Sequence, residues 1–180
     1  MKKNLSLEIA IPEEVEIILE ENNLLVKGKE GENKRKFTLG KINLSKKDER
    51  ILLECKDATK KEKKIMHTVA SHIKNMINGV QKKFIYKLKV CFNHFPITVK
   101  AEGNTMIIKN FLGEKKDRKI DLPEGVEINV DNDLITLNSV NKELAGQASA
   151  NLEKATKIKK KDRRVFQDGI FLINKAGKDI

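Results

Sequence analysis

The chain has no tryptophan, a single tyrosine and seven phenylalanines among its 180 residues, so aromatic side chains make up only 4% of it. Little is therefore available to stack on nucleic-acid bases, and no aromatic string of the RNP1 type occurs. Long apolar runs are also missing: none approaches the roughly 20 residues that a membrane-spanning helix requires. Behind Lys2 and Lys3 the stretch Asn4-Leu5-Ser6-Leu7-Glu8 is broken by charge before it reads as a signal segment, so the expectation is a cytoplasmic protein. The two cysteines, Cys55 and Cys91, lie in strand-like segments without a CxxC spacing or a companion histidine pattern. They imply neither a zinc site nor a disulfide framework, and read as reduced thiols.

Catalytic signatures are missing as well. No Walker, GxSxG, HExxH or paired-carboxylate motif is present. His67 and His72 stand five apart on a predicted helix, a spacing that puts them on different faces, and neither has an acidic partner at ligand spacing. His94 precedes Phe95-Pro96 at a strand start, where a local structural role fits better than that of a general base. These absences predict a chain with no catalytic residue, metal, cofactor or small-molecule substrate.

What the sequence has in excess is positive charge. Thirty-seven Lys and Arg stand against 26 Asp and Glu, a formal net charge of +11. A compact body carrying that excess repels itself unless it meets an anionic partner, and nucleic acid is the natural one. A membrane surface fits less well, because no basic helix has an opposed face of large aromatic residues. A hydrophobic content of 39% suffices for packed cores in one large domain or two small ones.

The pattern along the chain favours two. From Val15, apolar Val15, Ile17 and Leu19 alternate with charge, Glu21-Asn22-Asn23 turns, and Leu24 to Lys27 returns as the second arm of a hairpin. From Pro96 the same order recurs with Ile97, Val99 and Ala101, a turn at Glu102-Gly103-Asn104, and a return from Met106 to Phe111. Each return enters a glycine-containing phrase, Lys27 to Lys36 and Lys109 to Lys119, with five basic and two acidic residues. Further strand signals follow at Ile51–Leu53 and at Val126–Leu137. A helix then closes each half. Thr59-Lys60-Lys61-Glu62 is a capping box opening a helix from about Thr59 to Asn78, with Gly79 as its stop. Asn141 opens a second from about Asn141 to Thr156, whose alanine-rich face predicts close packing on a sheet. The expected architecture is α+β: two duplicated small domains, residues 1–82 and 83–180, each a mainly antiparallel sheet covered by one helix.

The phrases HFPITV (His94 to Val99), IKNFLGEK (Ile108 to Lys115), KELAGQASANLEKAT (Lys142 to Thr156) and KKDRRVFQDGIF (Lys160 to Phe171) closely resemble the L-six family of large-subunit ribosomal proteins in its archaeal and eukaryotic form. IPEEVEI, LLVKG and HIKNMINGV extend the resemblance over nearly the whole chain. It implies the duplicated fold and a structural role on large-subunit ribosomal RNA, among neighbouring large-subunit ribosomal proteins. It also implies that the C-terminal half docks near the sarcin–ricin region, beside the surface where translation factors bind. Three departures stand out: Lys29 for a proline, Lys83 for a glycine, and Phe171 for a tyrosine. None removes a cation.

Two segments of the second half are the candidate RNA contacts. KIKKKDRR, from Lys157 to Arg164, holds six basic residues and one acid directly behind the second helix. Lys157, Lys159, Lys160, Lys161, Arg163 and Arg164 combine flexible point charges with bidentate forks suited to phosphate. In the Gly113 loop Lys115, Lys116 and Arg118 are candidates, against the alternative that Glu114 and Asp117 pair with Lys115 and Arg118 across a hairpin. Lys175 completes the set. Phe166 and Phe171 are expected to pack this basic tail back onto its domain. The first phrase is read as a solvated face. A rival from another class, a free-standing cationic scaffold for acidic proteins, shares the charge but does not require the repeat and tail.

Overall fold

The computed structural model describes residues 3–47, 49–162 and 164–180. The chain divides into two compact units, Met1–Lys83 and Phe84–Ile180. The first runs β1 (Lys3–Ala10), β2 (Glu16–Glu20), β3 (Asn23–Gly28), β4 (Gly31–Lys36), β5 (Asn43–Lys47), β6 (Arg50–Ala58) and α1 (Lys60–Gln81). The second repeats that order with β7 (Phe84–Cys91), β8 (Thr98–Glu102), β9 (Thr105–Lys109), β10 (Arg118–Asp121), β11 (Glu127–Asp131), β12 (Leu134–Ser139) and α2 (Lys142–Ala155). It then adds β13 (Gly169–Lys175) and β14 (Lys178–Asp179).

The α+β class is as expected, with a refinement in the sheets. Each unit has two antiparallel sheets where the sequence pattern predicts one. In the first unit β2-β3-β4 is a meander, and β1-β6-β5 forms the other sheet. In the second β8-β9-β10 matches the meander, and the order β11-β12-β7-β13-β14 extends the other sheet. The second unit is thus the first plus two strands, with β13 pairing on the outer edge of β7. Among the described residues the corresponding edge of β1 carries no further strand. Covering it in the second unit removes an exposed row of backbone donors and acceptors.

Each helix lies on its sheets along one apolar face. Met66, Val69, Ala70, Ile73, Met76, Ile77 and Val80 of α1 are buried at helical spacing. At its start the Glu62 carboxylate accepts from the Thr59 N–H at 2.9 Å, and the Thr59 hydroxyl accepts from the Lys61 N–H at 3.3 Å. Gly79 does not end the helix, which continues to Gln81, because Gly79 belongs to the buried face and the chain leaves only at extended Lys82. In α2 the Asn141 side chain accepts from the Glu143 N–H at 2.9 Å, and fully buried Ala145 and Ala148 bring the helix close to its sheet. There Tyr86, Leu88, Ile135, Leu137, Met106, Ile108 and Phe111 join them in one core.

The two charged glycine phrases are each the connection from the second to the third strand of a meander, and their glycines serve different ends. A Cβ on Gly28 would lie 2.9 Å from the Val80 carbonyl oxygen and 2.8 Å from its Cγ2, so only glycine lets the end of β3 meet the end of α1. The Glu30 N–H donates to that same carbonyl at 2.9 Å. In the second phrase Gly113 has φ +77, a left-handed conformation that side chains resist. Gly28→Ala should therefore destabilise the first unit by about 1–3 kcal/mol, the usual cost of forcing extra volume into packed structure. Denaturant unfolding measures this. The reference is Gly146→Ala in α2, where the added Cβ would meet the Tyr86 hydroxyl at an ordinary 3.6 Å.

Candidate nucleic-acid interface

The Gly113 loop is shaped by its backbone, and its two acids are matched within the phrase. Asn110, Leu112 and Gly113 all have positive φ, and the Asn110 amide donates to the Pro96 carbonyl at 3.0 Å. Its two acids are both paired: Glu114 accepts from Arg118 Nε at 2.7 Å, and Asp117 lies 3.5 Å from the Lys109 ammonium. The hydrogen bond from Arg118 holds the Glu114 carboxyl below its ordinary range, against a smaller upward push from burial. With both carboxylates turned to these partners, Lys115 and Lys116 are exposed.

Arg118 is the exception among the candidates, because its fork is committed internally. Beyond Glu114 it donates through Nη1 to the Ala155 carbonyl at the end of α2. Its guanidinium also lies 4.2 Å from the centre of the buried Phe111 ring, a cation–π stack. This arginine is a clamp joining the loop to the start of the basic run. The loop cations and the run are therefore neighbours.

The run itself is a closed loop between α2 and β13, not a free tail. At one end the Thr156 hydroxyl accepts from the Ile170 N–H at 2.9 Å, and Glu153 accepts from the Leu172 N–H at 2.9 Å. Side chains from the end of α2 thus satisfy donors at the start of β13. At the other end stands Asp168, whose side chain is only 1% exposed. Its Oδ1 accepts from the Asn93 N–H at 2.6 Å and the His94 N–H at 3.0 Å, and its Oδ2 lies 2.7 Å from His94 Nδ1. Burial pushes the Asp168 carboxyl up, but the hydrogen bonds from Asn93 and His94 together prevail and hold it below its ordinary value. An ionised carboxylate only accepts, so His94 Nδ1 carries the hydrogen. Phe166 stacks on the His94 ring at 4.6 Å, and the Lys161 ammonium lies 4.3 Å from the centre of the Phe166 ring.

Lys157, Lys159 and Lys160 are exposed on this loop, and Lys160 has φ +58. Arg164 is 90% exposed at its side chain while its fork meets Asp162 at 2.9 Å. That pairing lowers the Asp162 carboxyl and raises the Arg164 guanidinium. Arg163 lies outside the described residues. Lys175 is exposed but sits at the far end of β13, six residues or about 20 Å from Gly169 at strand rise, so it is not brought together with the others. Phe166 packs as expected, whereas Phe171 remains 46% exposed. The pairing of His94 with Asp168 has no signature in the sequence. Asp168-Gly169 reads there as a turn dipeptide, and nothing marks a carboxylate that is to be buried.

The family comparison follows this division. The model of the family described as ribosomal protein L6 matches residues 11–83 and 95–169. The chain belongs to the ribosomal protein L6 family. A large ribosomal subunit protein uL6 of Methanobrevibacter smithii is 45% identical over 168 residues, covering 93% of this chain and 94% of its own. Another, of Nanoarchaeum equitans, is 48% identical over 181 positions, covering 96% and 94%. The second family match ends at Gly169, so it includes the whole basic loop and the Asp168 anchor.

Removing that anchor takes the acceptor away from the Asn93 and His94 N–H groups and from His94 Nδ1. Asp168→Ala should cost about 1–3 kcal/mol and speed amide exchange from Lys157 to Ile170 while leaving α1 unchanged. Because the folded carboxyl is depressed, its contribution is complete above about pH 4 and fades as pH falls through the lower folded value. Hydrogen exchange across that range checks both. Equal protection in the variant and the parent would remove the anchor from the account.

Proposed function

We propose that this chain is a structural constituent of the large ribosomal subunit, in the cytoplasm, holding large-subunit ribosomal RNA through its second unit. Membership of the ribosomal protein L6 family supports the setting. The observation that carries the site is the Arg118 clamp, which makes one cationic surface of two segments far apart in sequence. Lys115 and Lys116 come from one, and Lys157, Lys159, Lys160, Lys161 and Arg164 from the other; Arg163, outside the described residues, is a candidate from the sequence alone. Lys175, at the far end of β13, would make a separate contact. The resemblance at IKNFLGEK and KKDRRVFQDGIF supports a place near the sarcin–ricin region and the translation-factor surface, beside neighbouring ribosomal proteins.

The mechanism is recognition of phosphate geometry without chemistry. Each ammonium that displaces a condensed counterion contributes to affinity through that ion's release, and the frame fixes where the ammoniums stand. The acids of the loop do not oppose this, since Glu114 and Asp117 already face Arg118 and Lys109. His94 and Asp168 hold the basic loop in place and perform no turnover.

Salt dependence tests the reading. For the full chain and a transcript of the sarcin–ricin region, log affinity should fall linearly with log salt. Changing Lys115, Lys116, Lys157, Lys159 and Lys160 to Gln should flatten the slope by about 0.7–0.9 for each phosphate that is no longer neutralised, with unfolding unchanged. Arg118→Ala should instead lower stability by about 1–3 kcal/mol through loss of the stack and hydrogen bonds. An unaltered slope in the lysine variant sinks the assignment. Stronger binding to acidic proteins than to the transcript would favour the cationic-scaffold reading.

A further inference from the structure

Beside the basic loop the second unit has an open pocket of about 760 Å³, within the range of pockets that hold small ligands. Ile158, Ile170, Phe166, Phe171 and Cys91 line it. The polar groups around it are already engaged. The Thr156 hydroxyl and the Glu153 carboxylate receive N–H groups of β13, and Asp168 receives Asn93 and His94. The Gln167 amide donates to the Arg164 carbonyl at 3.3 Å. What faces an incoming group is therefore largely apolar and aromatic surface, with Lys154 and Lys157 in its lining.

A second observation bears on this pocket. The large hydrophobic side chains left exposed among the described residues are Ile85, Phe92, Phe95, Val165, Phe171 and Ile180, and every one belongs to the second unit. Phe171 lies in the pocket lining itself, with Val165 close in sequence to Phe166. Aromatic residues are few in the sequence, which on its own predicts little stacking surface. The fold gathers Phe166 and Phe171 at one place: the Phe166 ring already meets His94 and Lys161, and exposed Phe171 supplies the open aromatic surface.

From this combination we infer that the pocket receives an unstacked nucleobase of the bound RNA, with the flanking phosphates on Lys154 and Lys157. The inference rests on the RNA reading above and deepens it. An apolar cleft with lysines in its lining is complementary to a nucleotide, whose base has faces that stack and whose backbone carries the charge. An apolar protein side chain would fill the cleft but leave those lysines unmatched. Contact through one extruded base adds a recognition element to an interface that otherwise reads only backbone geometry.

Cys91 provides the test, because it lines the pocket and is partly exposed while Cys55 is buried at 2% exposure. With the full chain and the sarcin–ricin transcript, bound RNA should slow alkylation of Cys91 by N-ethylmaleimide. A scan of abasic substitutions through the transcript should find one position where loss of the base weakens binding roughly 5- to 150-fold, the effect of a single stacked base. Cys91→Trp, which fills the cleft, should weaken binding to the intact transcript by a similar factor and be insensitive to that abasic position. If the unmodified chain does not bind the transcript, the RNA reading falls and the pocket with it. Binding with Cys91 as reactive as in the free chain, and no sensitive abasic position, overturns the pocket alone. So does protection that arises only in assembled subunits and not with RNA, which would give the cleft to a protein side chain.

Discussion

A carboxylate taken almost wholly out of water must be given donors, and meeting that requirement at Asp168 organises the second unit. The donors come from Asn93 and His94, just beyond the end of β7. Satisfying them fixes the residue just before β13, which then takes its place on the outer edge of β7. The His94 ring, held through Nδ1, becomes a surface for Phe166, and Phe166 in turn carries Lys161. A run of lysines that would otherwise sample many positions is thereby tied at both ends. Ordering lysines before they meet a phosphate reduces the entropy lost on binding.

Duplication supplied the frame on which this differs between the units. Both have the meander, the second sheet and the helix in one order, and both glycine phrases bring the same balance of charge. In the first, Gly28 serves the approach of α1, and the chain goes straight into β4. In the second, left-handed residues shape a loop whose acids are matched within the phrase. Among the described residues the later strands β13 and β14 have no counterpart in the first unit, and their addition requires the connection that carries the basic run. Like composition therefore has unlike consequences: a strand face in one unit and a braced cationic loop in the other.

Much of this was legible from residues alone. The Thr59 and Asn141 caps, the apolar faces behind them, and the hairpins β2–β3 and β8–β9 are local, and local patterns are written in sequence. Strands β1 and β7 were harder to read because charged residues alternate through them, as at Lys87 and Lys89. The second sheet of each unit was not legible, because β1 pairs with β6 across 40 to 55 positions, as in Ser6 with Glu54. Arg118 looked like any cation of its loop. Only the fold shows it stacked on Phe111 and bonded to Ala155. The exposed lysines at 115, 116, 157, 159 and 160 were recognisable because exposure is the ordinary state of lysine.

On the proposed RNA reading, fold rather than charge content decides which of the two similar phrases meets RNA. Protein–RNA crosslinking with mass spectrometric mapping on assembled large subunits tests it directly. Crosslinks should concentrate at Lys115, Lys116 and the loop from Lys157 to Lys161, with few or none at Lys29, Lys34 and Lys36. Crosslinks concentrated in the first phrase, or shared equally between the two, would contradict the account.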